Sequence, residues 1–204
     1  MRLSEEIEIE FKSMLTQNEY EELLRYYNIT DDQFVIQTNL YFDTADFQLK
    51  KHGMGLRIRR FDTKAEATLK IPQSVGLLEV TDALTITEVE QVLDKKQFAS
   101  GAAEILARLK QLNISLLDLS LIGKLITKRA EFIIPEGKLA LDESWYGQQH
   151  DFELELEVSV PSYGEEDFNQ LLKKFDLPYR KTQNKIARAV TEQQGRNKEM
   201  EGLQ

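Results

Sequence analysis

The chain has no cysteine among its 204 residues. That excludes a disulfide, a thiolate metal site and a cysteine nucleophile together. Histidine is almost as scarce, with only His52 and His150 present, so a metal is expected on carboxylate oxygens, which favours Mg²⁺, Mn²⁺ or Ca²⁺ over zinc. The Met1–Glu10 stretch has no apolar region of signal-peptide type, and no run is long enough to span a bilayer. These absences predict a cytoplasmic location and no membrane partner. There is no P-loop, no glycine-rich dinucleotide fingerprint and no Gly-x-Ser-x-Gly elbow. A net charge of −9 argues against a protein that coats nucleic acid. A cluster of cations inside a pocket remains compatible with that acidic average. No repeat or low-complexity linker divides the chain, so one domain is expected over 1–194, with 195–204 as a frayed polar tail.

What is present is mostly of strand period. Strands are predicted near 5–12, 34–43, 54–61, 65–72, 77–85, 121–134, 137–146 and 149–160. Tight-turn signals separate several of them, such as Gln73-Ser74-Val75-Gly76 and Pro135-Glu136-Gly137, and short connections make neighbours antiparallel. Capping boxes at Thr16/Glu19 and Thr87/Glu90 predict helices to about Tyr27 and Lys96. Further helices are expected over 100–112, 165–175 and 183–193. The fold class is therefore α+β: a closed eight-stranded antiparallel β-barrel with peripheral helices.

The alternation within the strands carries the functional information. Glu6, Glu8, Glu10 and Lys12 share one face of the first strand, opposite Ile7, Ile9 and Phe11. Glu153, Glu155 and Glu157 oppose Leu154, Leu156 and Val158 on the last. Between them Arg57 and Arg59 oppose Leu56 and Ile58, while Glu66, Thr68 and Lys70 oppose Ala67, Leu69 and Ile71. Asp142 shares a face with Lys138. For any single strand the simplest explanation is a solvated face. Carboxylates stacked at about 7 Å repel, however, and cost stability unless something positive lies between them. Acids also gather on the first and last strands and bases on the middle ones. Closure with the charged faces inward would make a tunnel with a charged interior, fit for a cation and an anion together, with the apolar faces outside under the helices. Carboxylates supply hard oxygen ligands, and Arg and Lys supply partners for phosphate oxygens.

The sequence resembles the CYTH superfamily, the triphosphate tunnel metalloenzymes. The resemblance is carried by Glu8-Ile9-Glu10-Phe11-Lys12 as an N-terminal ExExK signature, then Leu40-Tyr41-Phe42-Asp43-Thr44, Gly55-Leu56-Arg57-Ile58-Arg59 and Thr68-Leu69-Lys70. Thr127-Lys128-Arg129, Leu139-Ala140-Leu141-Asp142, the Glu153/Glu155/Glu157 strand and Asn184-Lys185-Ile186-Ala187-Arg188-Ala189 follow in the family's order. It covers roughly 5–190 and is nearest a Firmicute-type bacterial branch. The resemblance implies Mg²⁺ or Mn²⁺ held by Glu8, Glu10, Glu155 and Glu157, with Asp142 and Glu153 as helpers. It implies a phosphate path along Lys12, Arg57, Arg59, Lys70, Arg129, Lys185 and Arg188. Lys70 and Tyr41 would orient the attacking water, although a wall role for Tyr41 is an equal reading. The implied activity is hydrolysis of a small triphosphate: tripolyphosphate, a nucleoside triphosphate or thiamine triphosphate. Class IV adenylate cyclase and a non-catalytic polyphosphate or nucleotide sensor are the alternatives, and a homodimer is left open. One departure stands out: where many members carry an Arg followed by alternating acids, this chain reads Gly76-Leu77-Leu78-Glu79, so a cation is missing. His52 reads as a turn residue and Trp145 as a cap on the barrel.

Overall fold

The computed structural model describes residues 4–95, 97–158 and 164–192. Its strands are β1 (Ser4–Leu15), β2 (Phe34–Thr44), β3 (Gly55–Arg60), β4 (Ala65–Pro72), β5 (Leu77–Leu84), β6 (Leu119–Ile134), β7 (Gly137–Tyr146) and β8 (Gln149–Val158). They close in the order β1-β5-β4-β3-β2-β6-β7-β8, every neighbouring pair antiparallel. The helices are α1 (Gln17–Tyr26), α2 (Gln48–Lys51), α3 (Ile86–Lys95), α4 (Ala103–Gln111), α5 (Glu165–Lys174) and α6 over 185–192. Among the described residues no helix is long and apolar enough to cross a membrane. The expected tail over 195–204, and the expected last two residues of the final strand, lie outside the described residues.

The barrel wears its apolar residues on the outside. Leu56, Ile58, Ala67, Leu69 and Val80 face outward from β3–β5 and pack under α3 and α4, against Val89, Val92, Ile105 and Leu109. On the opposite side Leu139, Leu141, Leu154 and Leu156 of β7 and β8 pack under α1 and α5, against Leu23, Phe168, Leu171 and Leu172. Each fully buried Leu or Ile contributes on the order of 1.5–3 kcal/mol, so these two lateral cores stabilise the fold and leave the interior free to be polar. Helix starts follow local chemistry. Thr16 caps α1 through a reciprocal box with Glu19. The second box forms two residues earlier than expected: Thr85 and Glu88 exchange the bonds, not Thr87 and Glu90. That register turns Val89 and Val92 into the core, and hydrophobic burial outweighs the choice between two equivalent caps.

Two glycines position the site. Gly76, in the β4–β5 turn, has φ +70° and would place a Cβ 2.3 Å from the Glu8 carbonyl oxygen, so only glycine lets β5 begin against β1 there. Gly123 on β6 lies so near α6 that a Cβ would stand 3.1 Å from Ala189. The bare backbone lets α6 press Ala189 onto Tyr41 and Leu125, against inward-facing residues at one end of the barrel.

Candidate functional site

The strand registers bring the charged faces together inside the barrel. Glu10 stands opposite Glu157 and Lys12 opposite Glu155 across β1–β8. Lys70 pairs with Glu79 across β4–β5, and Tyr41 with Arg57 across β2–β3. The result is one cavity of about 260 Å³. Glu8, Glu10, Glu155 and Glu157 line it from β1 and β8. Arg57, Arg59 and Lys70 face them from β3 and β4, and Lys12, Tyr41, Arg129 and Lys185 complete the set. Asp142, Glu153 and Arg188 are not on its surface but lie immediately behind, buried.

Ion pairs divide the interior into two zones. In the deeper one Asp142 accepts two hydrogen bonds from Arg129, at 2.7 and 2.6 Å. Lys185 reaches Asp142 at 2.7 Å and Glu153 at 3.1 Å, and also contacts Glu155, which Arg129 contacts as well. Arg188 bridges Asp151 at 2.7 Å and Glu153. Burial alone would raise the Glu155 carboxyl, yet Lys185, Arg129 and Lys12 hold it well below the ordinary glutamate range. Burial likewise fails to raise Asp142, which Arg129 and Lys185 keep lowered. Glu153 is different: burial wins and its carboxyl is raised, and its Oε1 has no hydrogen-bond partner.

The second zone is less well matched. Lys70 contacts Glu8 and lies 2.7 Å from Glu79, and Arg57 is 4.0 Å from Glu79. The Arg57 Nε is buried with no hydrogen-bond partner. Arg59 donates to Asn39 at 3.1 Å and approaches Glu66 at 3.5 Å. Burial, with Arg57 and Arg129 nearby, lowers the Arg59 guanidinium to about 10. Glu8 is pushed up to about 7, chiefly by burial, with Glu79 and Glu10 adding to the rise against the pull of Lys70. Cations crowded on one wall and a strained carboxylate on the other are the arrangement that an anion and a cation bound together would relieve.

The donor chemistry suits a hard divalent ion: the acids on the cavity wall offer carboxylate oxygens, no histidine among the described residues lines it, and behind the wall the Glu153 Oε1 is unpartnered. Among the described residues no three acidic or histidine side chains are gathered as a ready-made clasp, because Lys12, Lys70 and Lys185 are interleaved with the acids.

Several residues of this network went unread in the sequence. Asp151 joins Tyr146 (2.5 Å) and Arg188, and Glu131 lines the cavity beside Lys138. Both continue alternations already visible, Asp151 with Glu153 and Glu131 with Arg129. Asp43 shares the Tyr41 face by sequence but instead accepts from the Leu49 and Lys50 amides, opening α2. His52 is the C-cap of that short helix. Trp145 lies on the outer face, 36% exposed and stacked on His150 at 5.1 Å.

Comparison with known proteins adds an independent line. The sequence profile of the CYTH domain matches residues 6–190. YjbK of Bacillus subtilis, provisionally named a triphosphatase, is 38% identical over 190 residues, 93% of this chain and 97% of that protein. A crystal structure from Bacillus halodurans, of a protein provisionally named an adenylate cyclase, is also 38% identical, with a TM-score of 0.83 over 90% of this chain and 97% of that one. HpAC1 from Hippeastrum, described as an adenylyl cyclase candidate with a dominant triphosphatase activity, shares the fold at 23% identity. Its TM-score is 0.69 over 89% of this chain and 94% of that one.

Proposed function

The chain belongs to the CYTH family, matched over residues 6–190, and from that premise we propose that it is a metal-dependent triphosphatase. One observation carries the reading. A single cavity has Arg57, Arg59 and Lys70 on one wall and Glu8, Glu10, Glu155 and Glu157 on the other, and the buried Nε of Arg57 lacks a partner. Glu8, Glu10, Glu155 and Glu157 would hold Mg²⁺ or Mn²⁺, with Asp142 and Glu153 steadying them from behind. When bound, such an ion polarises phosphate oxygens and screens their charge. The chain's own residues do the rest. Arg57 and Arg59 present planar forks to phosphate oxygens, and Lys12 and Lys70 present point charges. The buried, unpartnered Nε of Arg57 is a donor already in place for charge developing on the transferred phosphoryl group, while Lys12 and Lys70 would exchange their ion pairs with Glu10, Glu8 and Glu79 for phosphate oxygens. Tyr41, buried beside Arg57, orients the attacking water together with Lys70. Arg129, Lys185 and Arg188 contribute positive potential to the phosphate path while fixing the carboxylates. We read the reaction as cytoplasmic.

The test is phosphate release from tripolyphosphate, nucleoside triphosphates and thiamine triphosphate, with Mg²⁺ and Mn²⁺ in turn. Release that needs the metal and disappears in Arg57→Ala supports the reading. Formation of a cyclic nucleotide in place of free phosphate would make the protein a cyclase. Tight binding without turnover of any substrate would make it a sensor.

A further inference from the structure

The cavity wall is charged over most of its extent but not at one end. Leu77 faces inward from the first position of β5, paired with Glu8 of β1. The next residue, Leu78, packs on the outer core, whereas Leu77 belongs to none of the hydrophobic clusters. Across β4, whose Pro72 pairs with Leu77, the entry to β3 contributes Met54 and Gly55 to the same cavity, and α6 contributes Ile186, which packs against the cluster of Tyr41, Leu125 and Ala189. Gly55 pairs with Lys70, so this uncharged rim adjoins the cationic wall directly. A Cβ at Gly55 would meet nothing within 4 Å, and its φ is outside the left-handed region. Neither packing nor backbone conformation requires glycine there, and its bare backbone leaves open space in the cavity.

A ligand made of phosphate alone gains nothing from such a rim. Phosphate oxygens placed against Leu and Ile side chains would lose water without gaining a hydrogen bond. We propose that the rim of Met54, Gly55, Leu77 and Ile186 receives the organic group of a triphosphate monoester whose phosphates lie against Arg57, Arg59 and Lys70. The inference rests on the triphosphatase reading and narrows its substrate from triphosphates in general to those that carry an organic group. The size of the cavity, about 260 Å³, fits this division of labour. It falls short of the roughly 300–1,000 Å³ of pockets that enclose a drug-sized ligand. The phosphates therefore occupy the interior, and the organic group presents one face to the rim.

Calorimetry with the non-hydrolysable imido analogues of ATP and of tripolyphosphate, under Mg²⁺, separates this from a purely ionic site. Wild-type protein is expected to bind the ATP analogue more tightly. Gly55→Leu, which fills the open space, should weaken the ATP analogue on the order of tenfold while moving the tripolyphosphate analogue by less than about twofold. Leu77→Arg places a cation opposite Glu8 and should shift preference toward the tripolyphosphate analogue; it decides the question by itself if Gly55→Leu does not fold. Equal or tighter binding of the tripolyphosphate analogue by wild-type protein, or equal weakening of both analogues in Gly55→Leu, overturns the inference. Because binding is read without turnover, its failure is distinct from that of the triphosphatase reading, which is decided by metal-dependent phosphate release.

Discussion

Asp142→Asn exchanges one carboxylate oxygen for an amide and leaves the volume of the side chain nearly unchanged. In the structure that carboxylate is fully buried, accepts both hydrogen bonds of the Arg129 fork at 2.7 and 2.6 Å, and lies 2.7 Å from the Lys185 ammonium. The amide keeps one acceptor and turns its NH₂ toward one of two cations. Removing one member of a buried ion pair costs about 3–5 kcal/mol. Glu155 touches both cations and Glu153 touches Lys185, so the loss belongs at the lower end, about 3 kcal/mol. At about 2–4 °C per kcal/mol for a chain of this length, Tm should fall by about 6–12 °C. Scanning calorimetry in a chelator isolates this effect from metal binding, and a double-mutant cycle with Lys185→Met should return a coupling of about 0.5–3 kcal/mol. A metal-free variant that melts at or above the wild-type temperature would refute the reasoning. It would mean that Asp142 is an unmatched acid awaiting a cation, not one already matched by Arg129 and Lys185.

Three other outcomes are expected. Arg57→Ala should lower turnover by about 10²–10³-fold, the usual loss for one donor to developing charge, with Arg57→Lys rescuing poorly because a point charge lacks the planar fork; unchanged phosphate release in both would place the chemistry elsewhere. Glu8→Gln should abolish the upward Tm shift that Mg²⁺ or Mn²⁺ gives by binding only the folded state, a loss read by thermal melting with and without metal, and a retained shift would remove Glu8 from the ligand set. Glu19 is bound by Arg180 at 2.7 and 2.9 Å and held below its ordinary value by that pair and by the Thr16 cap. Its contribution is therefore present above that ordinary value and lost as pH falls through the depressed one. Glu19→Gln should cost about 0.5–2 kcal/mol near neutral pH, as for a lost helix cap, and the gap in urea-unfolding free energy should close in acid; a pH-independent gap would contradict it.

The sequence by itself determined the strands and which face of each is charged, because side-chain direction in a strand follows a period of two that needs no tertiary information. It determined the Thr16 cap for the same local reason, and the lack of cysteine and near-lack of histidine fixed the donor chemistry. The ExExK stretch and its followers carried the family resemblance, which the profile match over 6–190 bears out. Tertiary structure alone decided whether the charged faces look at water or at one another, since one strand cannot tell a solvated face from a tunnel wall; closure of β1 onto both β5 and β8 settles that. Only the folded chain chose between Thr85 and Thr87 as the cap, because the burial of Val89 and Val92 breaks the tie. It also decided how charge is shared. Glu8 and Glu155 carry the same side chain on similar alternating strands, yet Glu8 is raised to about 7 and Glu155 held far lower. Lys185 and Arg129, distant in sequence, converge on one and leave the other to a single lysine. Coulomb energy depends on distance across the barrel, and distance across the barrel is written nowhere in the order of the residues.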